Sequence, residues 1–101
     1  MASDTVMRGL RMIESGWLNR NNTAELAAAL EVSERHLTRL FQQELGTTPK
    51  SIARWTRARL AKGLLASSSM AMADVAFHAG YGSLSRFNQE IRDIFGQTPS
   101  T

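Results

Sequence analysis

The sequence of 101 residues predicts an all-α fold of two helix-turn-helix units joined by one long helix, about six to seven helices altogether. Three observations lead there. Apolar residues recur at the spacing of a helix face, no segment alternates as a half-buried strand does, and the chain repeats itself at an offset of 50 residues. The expected division is a single domain with a first unit over 4–48, a linker helix over 49–66 and a second unit over 70–99.

Val6, Leu10, Ile13 and Trp17 stand at i, i+4, i+7 and i+11, which gives a first helix reaching Trp17 to Arg20. Asn19 to Asn22 is a polar connector, and Thr23 is read as the N-cap of a second helix ending at Leu30. Ser33 caps a third helix with Leu37, Leu40, Phe41 and Leu45 as its buried stripe, and Gly46 stops it. Pro49 suits the first position of the next helix, whose apolar face is Ile52, Trp55, Leu60, Leu64 and Leu65, with Gly63 a mild weakness. Ser67 to Ser69 breaks that helix. A fifth helix follows over 73–79, then the turn Gly80-Tyr81-Gly82, and Ser83 opens a sixth helix lined by Phe87, Ile91 and Phe95 and closed by Gly96.

The repeat is specific in residue type and spacing. Leu37, Phe41, Leu45, Gly46, Thr48 and Pro49 match Phe87, Ile91, Phe95, Gly96, Thr98 and Pro99. Upstream of each turn the offset is 49, pairing Leu26, Ala27 and Leu30 with Val75, Ala76 and Ala79, so the second turn is one residue longer. A short helix, a tight turn and a longer helix is the shape that braces one helix over a DNA backbone while the next enters a major groove. It is also a shape found in helical bundles that bind no nucleic acid, so the side chains must discriminate.

Composition narrows the classes. With 43% hydrophobic residues the chain can bury a modest core, and the absence of cysteine removes disulfides and thiolate metal sites and fits a cytoplasmic home. The N-terminus has no signal-peptide pattern and no apolar run is long enough to span a membrane, so a soluble domain is expected. Twelve Lys and Arg exceed nine Asp and Glu, and no acid occurs between Glu44 and Asp74 while five basic residues fall between Lys50 and Lys62. That asymmetry favours a polyanion. His36 and His78 lie in different repeats, which argues against zinc; Asp74 and His78 lack any nucleophile elbow; and Met70 and Met72 read as core filler. No catalytic residue, metal or cofactor is assigned.

On the third helix the outward residues are Arg35, His36, Thr38, Arg39 and Gln42. Arg can bond guanine O6 and N7 together, Thr offers a methyl or a hydroxyl, and Gln suits adenine, so Arg39, Arg35 and Thr38 are the base-reading candidates. The competing reading is a salt-bridged surface with Glu31, Glu34 and Glu44. On the sixth helix Leu84, Ser85, Arg86, Asn88 and Gln89 are the candidates, and Arg92 joins His36 and Gln42 as a phosphate contact. Glu90 and Asp93 make this second face less basic, hence the weaker reader. Lys50, Arg54 and Arg57 share one side of the linker helix and are assigned to phosphates, and the two recognition helices should sit about one turn of DNA, roughly 34 Å, apart.

Val32 through Phe41 with Leu45-Gly46-Thr47-Thr48-Pro49, and Val75-Ala76 with Gly80-Tyr81-Gly82-Ser83 and Phe95 through Pro99, resemble the DNA-binding domain of the AraC/XylS transcription regulators over nearly the whole chain. The resemblance implies a homeodomain-like double helix-turn-helix, sequence-specific binding to double-stranded DNA, base contacts at the candidates named above, and RNA polymerase as a partner. Gly80 through Asn88 is similar to the variant found in Ada-like alkylation-response proteins, which can be fused to a methyl-accepting domain or an AlkA-like glycosylase. Family members usually continue past the last Thr-Pro with an aromatic and basic tail, so an excised domain lacking its effector or catalytic partner is an expectation beside a small complete regulator. A transcription regulator, a DNA-targeting module of a repair protein and an interaction bundle therefore remain open at this point.

Overall fold

The computed structural model describes residues 3–96, and the repeat matches at Thr98 and Pro99 lie outside them. Six α-helices and no strand occur among the described residues: α1 (Asp4–Glu14), α2 (Thr23–Ala29), α3 (Glu34–Leu45), α4 (Pro49–Ser67), α5 (Met72–Ala79) and α6 (Leu84–Phe95), with a 3-10 turn at Trp17–Asn19. The chain divides into two units between Ala53 and Arg54, inside α4. That helix thus gives its first turn to one unit and its remainder to the other.

In the first unit Ser3 caps α1 by accepting the Val6 N–H, and its own N–H donates to Glu44 Oε1 near the end of α3. Val6, Gly9 and Ile13 form the buried face of α1. Gly9 is there for closeness, because a Cβ at that position would stand 3.0 Å from Phe41 Cζ and 3.3 Å from Leu30 Cδ1. The helix stops at Glu14, earlier than its apolar spacing predicts, since Gly16 turns the backbone left-handed at φ 92. Trp17 still packs on the core, from the 3-10 turn instead. The cap of α2 is Asn22, one residue before the expected Thr23: Asn22 Oδ1 accepts the Glu25 N–H at 2.8 Å and Glu25 Oε1 accepts the Asn22 N–H at 2.9 Å. Only that register lets the glutamate close the reciprocal pair.

Ser33 caps α3 as expected, accepting the His36 N–H at 3.0 Å. Leu37 and Phe41 are fully buried, Leu40 is half-buried, and Leu45 is exposed rather than part of the stripe. Successive i+4 steps rotate by about 40° around a helix, so the third member of such a series drifts off the core line. Phe95 departs in the same way on α6, being half-buried where Phe87 and Ile91 are buried.

Thr48 Oγ1 accepts the Ser51 N–H at 3.1 Å and Pro49 supplies the first residue of α4. The buried line of this helix is Ala53 in the first unit and Ala58 and Ala61 in the second, whereas Trp55 and Leu60, expected inside, are 50% and 49% exposed. Small side chains occupy the closest approaches, and the large ones flank them. In the second unit Val75, Ala76 and Ala79 of α5 pack with Phe87 and Ile91 of α6 and with Tyr81 from the turn, while Met70 and Met72 fill in beside them. Helix α5 begins at Met72, one residue before its expected start, and Ser83 caps α6 by accepting the Arg86 N–H at 3.1 Å.

The two turns repeat hydrogen bond for hydrogen bond. Val32 N–H reaches Ala27 O at 3.0 Å and Tyr81 N–H reaches Ala76 O at 2.9 Å, while Glu31 and Gly80 each donate to the carbonyl three residues back at 3.1 Å. Both Glu31 and Gly80 are left-handed, at φ 60 and φ 99. Glu31 is the position at which the first turn uses a residue poorly suited to its backbone.

Candidate nucleic-acid interface

Three helices carry the predicted site residues. On α3, Leu37 and Phe41 hold the helix to the first core, which leaves Arg35, Arg39 and Gln42 exposed and His36 and Thr38 half-buried. Arg39 Nη2 lies 3.1 Å from His36 Nδ1, so a neutral imidazole accepts a bond from the guanidinium and orients it across the helix surface. Neither Arg35 nor Arg39 enters an ion pair among the described residues, and Glu44 is engaged by the Ser3 N–H. The salt-bridged surface considered from sequence therefore does not form on this face.

On α6, Ser85, Arg86, Gln89 and Arg92 are exposed, Asn88 is half-buried and Leu84 is partly open to solvent. Gln89 is already committed: its Nε2 donates to Asp93 Oδ1 at 2.9 Å. A base contact by Gln89 would first give up a bond worth about 1 kcal/mol.

Lys50 on α4 is exposed, but Arg54 and Arg57 are paired. Arg57 Nη2 approaches Glu90 Oε1 at 3.3 Å, Arg54 Nε approaches Glu90 Oε2 at 3.7 Å, and Arg54 Nη2 approaches Asp93 Oδ2 at 3.9 Å. Glu90 is 6% exposed, and the Arg57 side chain 11%. Sequence reasoning took Glu90 for a surface acid beside the reading face, whereas it points inward with Phe87 and Ile91. The repeat held the signal, because fifty residues earlier the same helix position is Leu40, which packs on the first core.

Tyr81 completes this cluster. The Arg57 guanidinium lies 5.7 Å from the centre of its ring, which meets Phe87 edge-on at 5.3 Å. Burial, reinforced by the Glu90 carboxylate and partly offset by Arg57, pushes the phenol up to about 12. No group of three or more histidine, cysteine or carboxylate side chains that would hold a metal occurs among the described residues.

A family model described as a helix-turn-helix domain matches residues 26–101. Among curated proteins, the probable bifunctional transcriptional activator/DNA repair enzyme AlkA of Mycobacterium tuberculosis is 37% identical over 98 residues, 97% of this chain and 20% of that protein. This chain thus spans about a fifth of that relative's length. Among solved structures, a probable AraC family transcriptional regulator from Rhodopseudomonas palustris superposes with a TM-score of 0.78 at 28% identity, covering 97% of this chain and 93% of the other. The DNA-binding domain of AdpA, a global transcriptional factor solved with a target DNA, gives a TM-score of 0.87 at 23% identity, covering 97% and 88%.

Proposed function

The chain belongs to the AraC/XylS-type helix-turn-helix family, and from that premise we propose that it binds a specific double-stranded DNA site and regulates transcription, α3 and α6 each entering a major-groove segment. The observation that carries this reading is the outer face of α3, where Arg35 and Arg39 are exposed, free of acidic partners, and oriented in the case of Arg39 by His36. A face of that kind offers two-donor contacts to guanine without first breaking an ion pair. The DNA bound by AdpA supports the same use of the fold.

Arg39, Arg35 and Thr38 are the first unit's base readers. Arg86, Ser85, Asn88, Leu84 and Gln89 serve the second, with the Gln89–Asp93 bond and the half-buried Asn88 making it the weaker reader. His36, Gln42, Lys50 and Arg92 are assigned to phosphates. Arg54 contributes to phosphates only from an exchangeable, long-range pairing, and Arg57 is assigned to Glu90 instead of to DNA.

A second reading rests on the AlkA relative, whose name joins activation with repair and of which this chain matches a fifth. On that reading the domain holds a repair enzyme on DNA. Both readings share the interface and differ in the attached partner, and in both RNA polymerase and an effector or catalytic domain are further partners. A cytoplasmic setting goes with the DNA-binding reading, and no described helix is long and apolar enough to cross a membrane.

The test is the salt dependence of duplex binding. Neutralising about three phosphates, by Lys50, Arg54 and Arg92, should make the logarithm of the binding constant fall with that of salt at a slope of about −3. Binding that is flat in salt would contradict the reading and favour a protein-interaction bundle.

A further inference from the structure

We infer that the cluster of Arg54, Arg57, Glu90 and Asp93 is a positioning device for base reading by the second unit, fixing the rotation of α6 against the part of α4 that belongs to that unit. The inference rests on the DNA-reading proposal and adds residues to it that touch no base.

A buried ion pair is a costly way to close a core. Removing two charges from water costs several kcal/mol, and apolar replacements of similar volume are often as stable or more so. The first unit uses the apolar solution, Leu40, at the position where the second has Glu90. Apolar contact has no direction, so a helix seated on leucine can rotate by a small angle at little cost. A charge-assisted hydrogen bond is directional, and Arg57 donates one to Glu90 Oε1 at 3.3 Å, while Arg54, one turn earlier on α4, adds an ion pair to Oε2 at 3.7 Å.

The same pairing reaches the reading face. Arg54 also approaches Asp93, and Asp93 accepts the bond from Gln89, so the arginines touch the inner acid directly and one outer reader through a single intermediate. Arg86 stands one turn before Glu90 on the helix. Productive readout requires side chains held within roughly 10–20° of their working geometry, and a seat with a defined rotation supplies that.

The experiment compares the parent chain with the double variant Arg57→Leu, Glu90→Leu, which imports the apolar solution and leaves no charge stranded. Glu90→Gln, which keeps a hydrogen-bonding side chain of the same shape, is the conservative companion. Each protein is titrated with the duplex selected by the parent, with a copy whose second block is scrambled, and with a copy whose first block is scrambled. Circular dichroism confirms folding at the assay temperature.

The result expected is a folded double variant whose preference for the intact second block falls about tenfold, with the first-block preference unchanged and Glu90→Gln retaining most of the parent's discrimination. A lost phosphate contact would instead weaken all three duplexes alike and leave the ratios intact. Either that uniform loss or an unchanged second-block ratio overturns the inference while leaving the DNA-binding proposal standing. If the parent itself shows no preference at the second block, base reading by α6 fails, and the positioning role fails with it.

Discussion

The first unit closes around leucine and phenylalanine, with Leu37 and Phe41 fully buried and Leu40 packed beside them, and it leaves its arginines on the reading helix free of acids. The second keeps the same helices, the same serine cap and the same turn hydrogen bonds. Yet it places Glu90 at Leu40's position and Tyr81 at Val32's, and it spends two arginines of α4 on the acid. The comparison separates what a helix-turn-helix requires from what it tolerates. The serine cap of the longer helix, the left-handed turn residue and the two core aliphatic or aromatic positions are common to both units, whereas the cap of the shorter helix is not, being Asn22 in the first and absent as a side chain at Ala71 in the second; the third core position accommodates opposite chemistries provided the charge is matched.

The largest effect should come from the shared part. Phe41→Ala removes a fully buried ring that rests on Gly9 and is expected to cost about 3–5 kcal/mol, and Phe87→Ala should cost a similar amount in the second unit. Denaturant melts would check it, and a loss below about 1 kcal/mol at either site would break the equivalence of the two cores.

The reading faces should differ. Arg39→Ala is expected to weaken binding to the best duplex by about 1–3 kcal/mol and to relax one base position, while Arg86→Ala costs less. Titrations against single-base variants measure both. An equal loss on every sequence would make Arg39 a phosphate contact, and a larger loss at Arg86 would reverse the ranking of the units.

An effect no larger than these marks the polar core. Tyr81, the single tyrosine of the chain, is raised from 10.0 to about 12, so between those values the unfolded chain releases a proton that the folded one keeps. Stability associated with Tyr81 is therefore complete below pH 10 and is lost as pH rises toward 12, by up to about 3 kcal/mol. Tyr81→Phe should remove that alkaline decline, and a phenol titrating near pH 10 in the folded protein would contradict it. Val32, its counterpart, has nothing to titrate.

The smallest concerns the turns. Glu31 holds φ 60 where the second turn has Gly80, so Glu31→Gly should stabilise the first unit by about 0.5–1 kcal/mol, the relief of strain exceeding the added freedom of the unfolded chain. A lower melting temperature would show that Glu31 is not strained.

Much of this was legible before the structure. The repeat placed both turns, both serine caps and the Leu37/Phe41 and Phe87/Ile91 pairs, because helix periodicity and capping are local rules. What escaped depends on tertiary distance. Nothing in the sequence marks Gly9 as the place where Phe41 rests, and Trp55 and Leu60 belong to the expected apolar face of α4 although both are about half exposed. Alanine takes the tight line of α4 where space is short, which no periodicity reports. Glu90 was hidden by its charge, since an acid on a helix is read as solvated and its partner Arg57 lies 33 residues away in sequence.

The most direct test of the central claim, that two related units each read DNA, is selection of duplexes from a random library at near-physiological salt. Two short enriched blocks about ten base pairs apart, in an asymmetric site, are the predicted result. Binding without any enriched sequence, vanishing as salt rises, would contradict it.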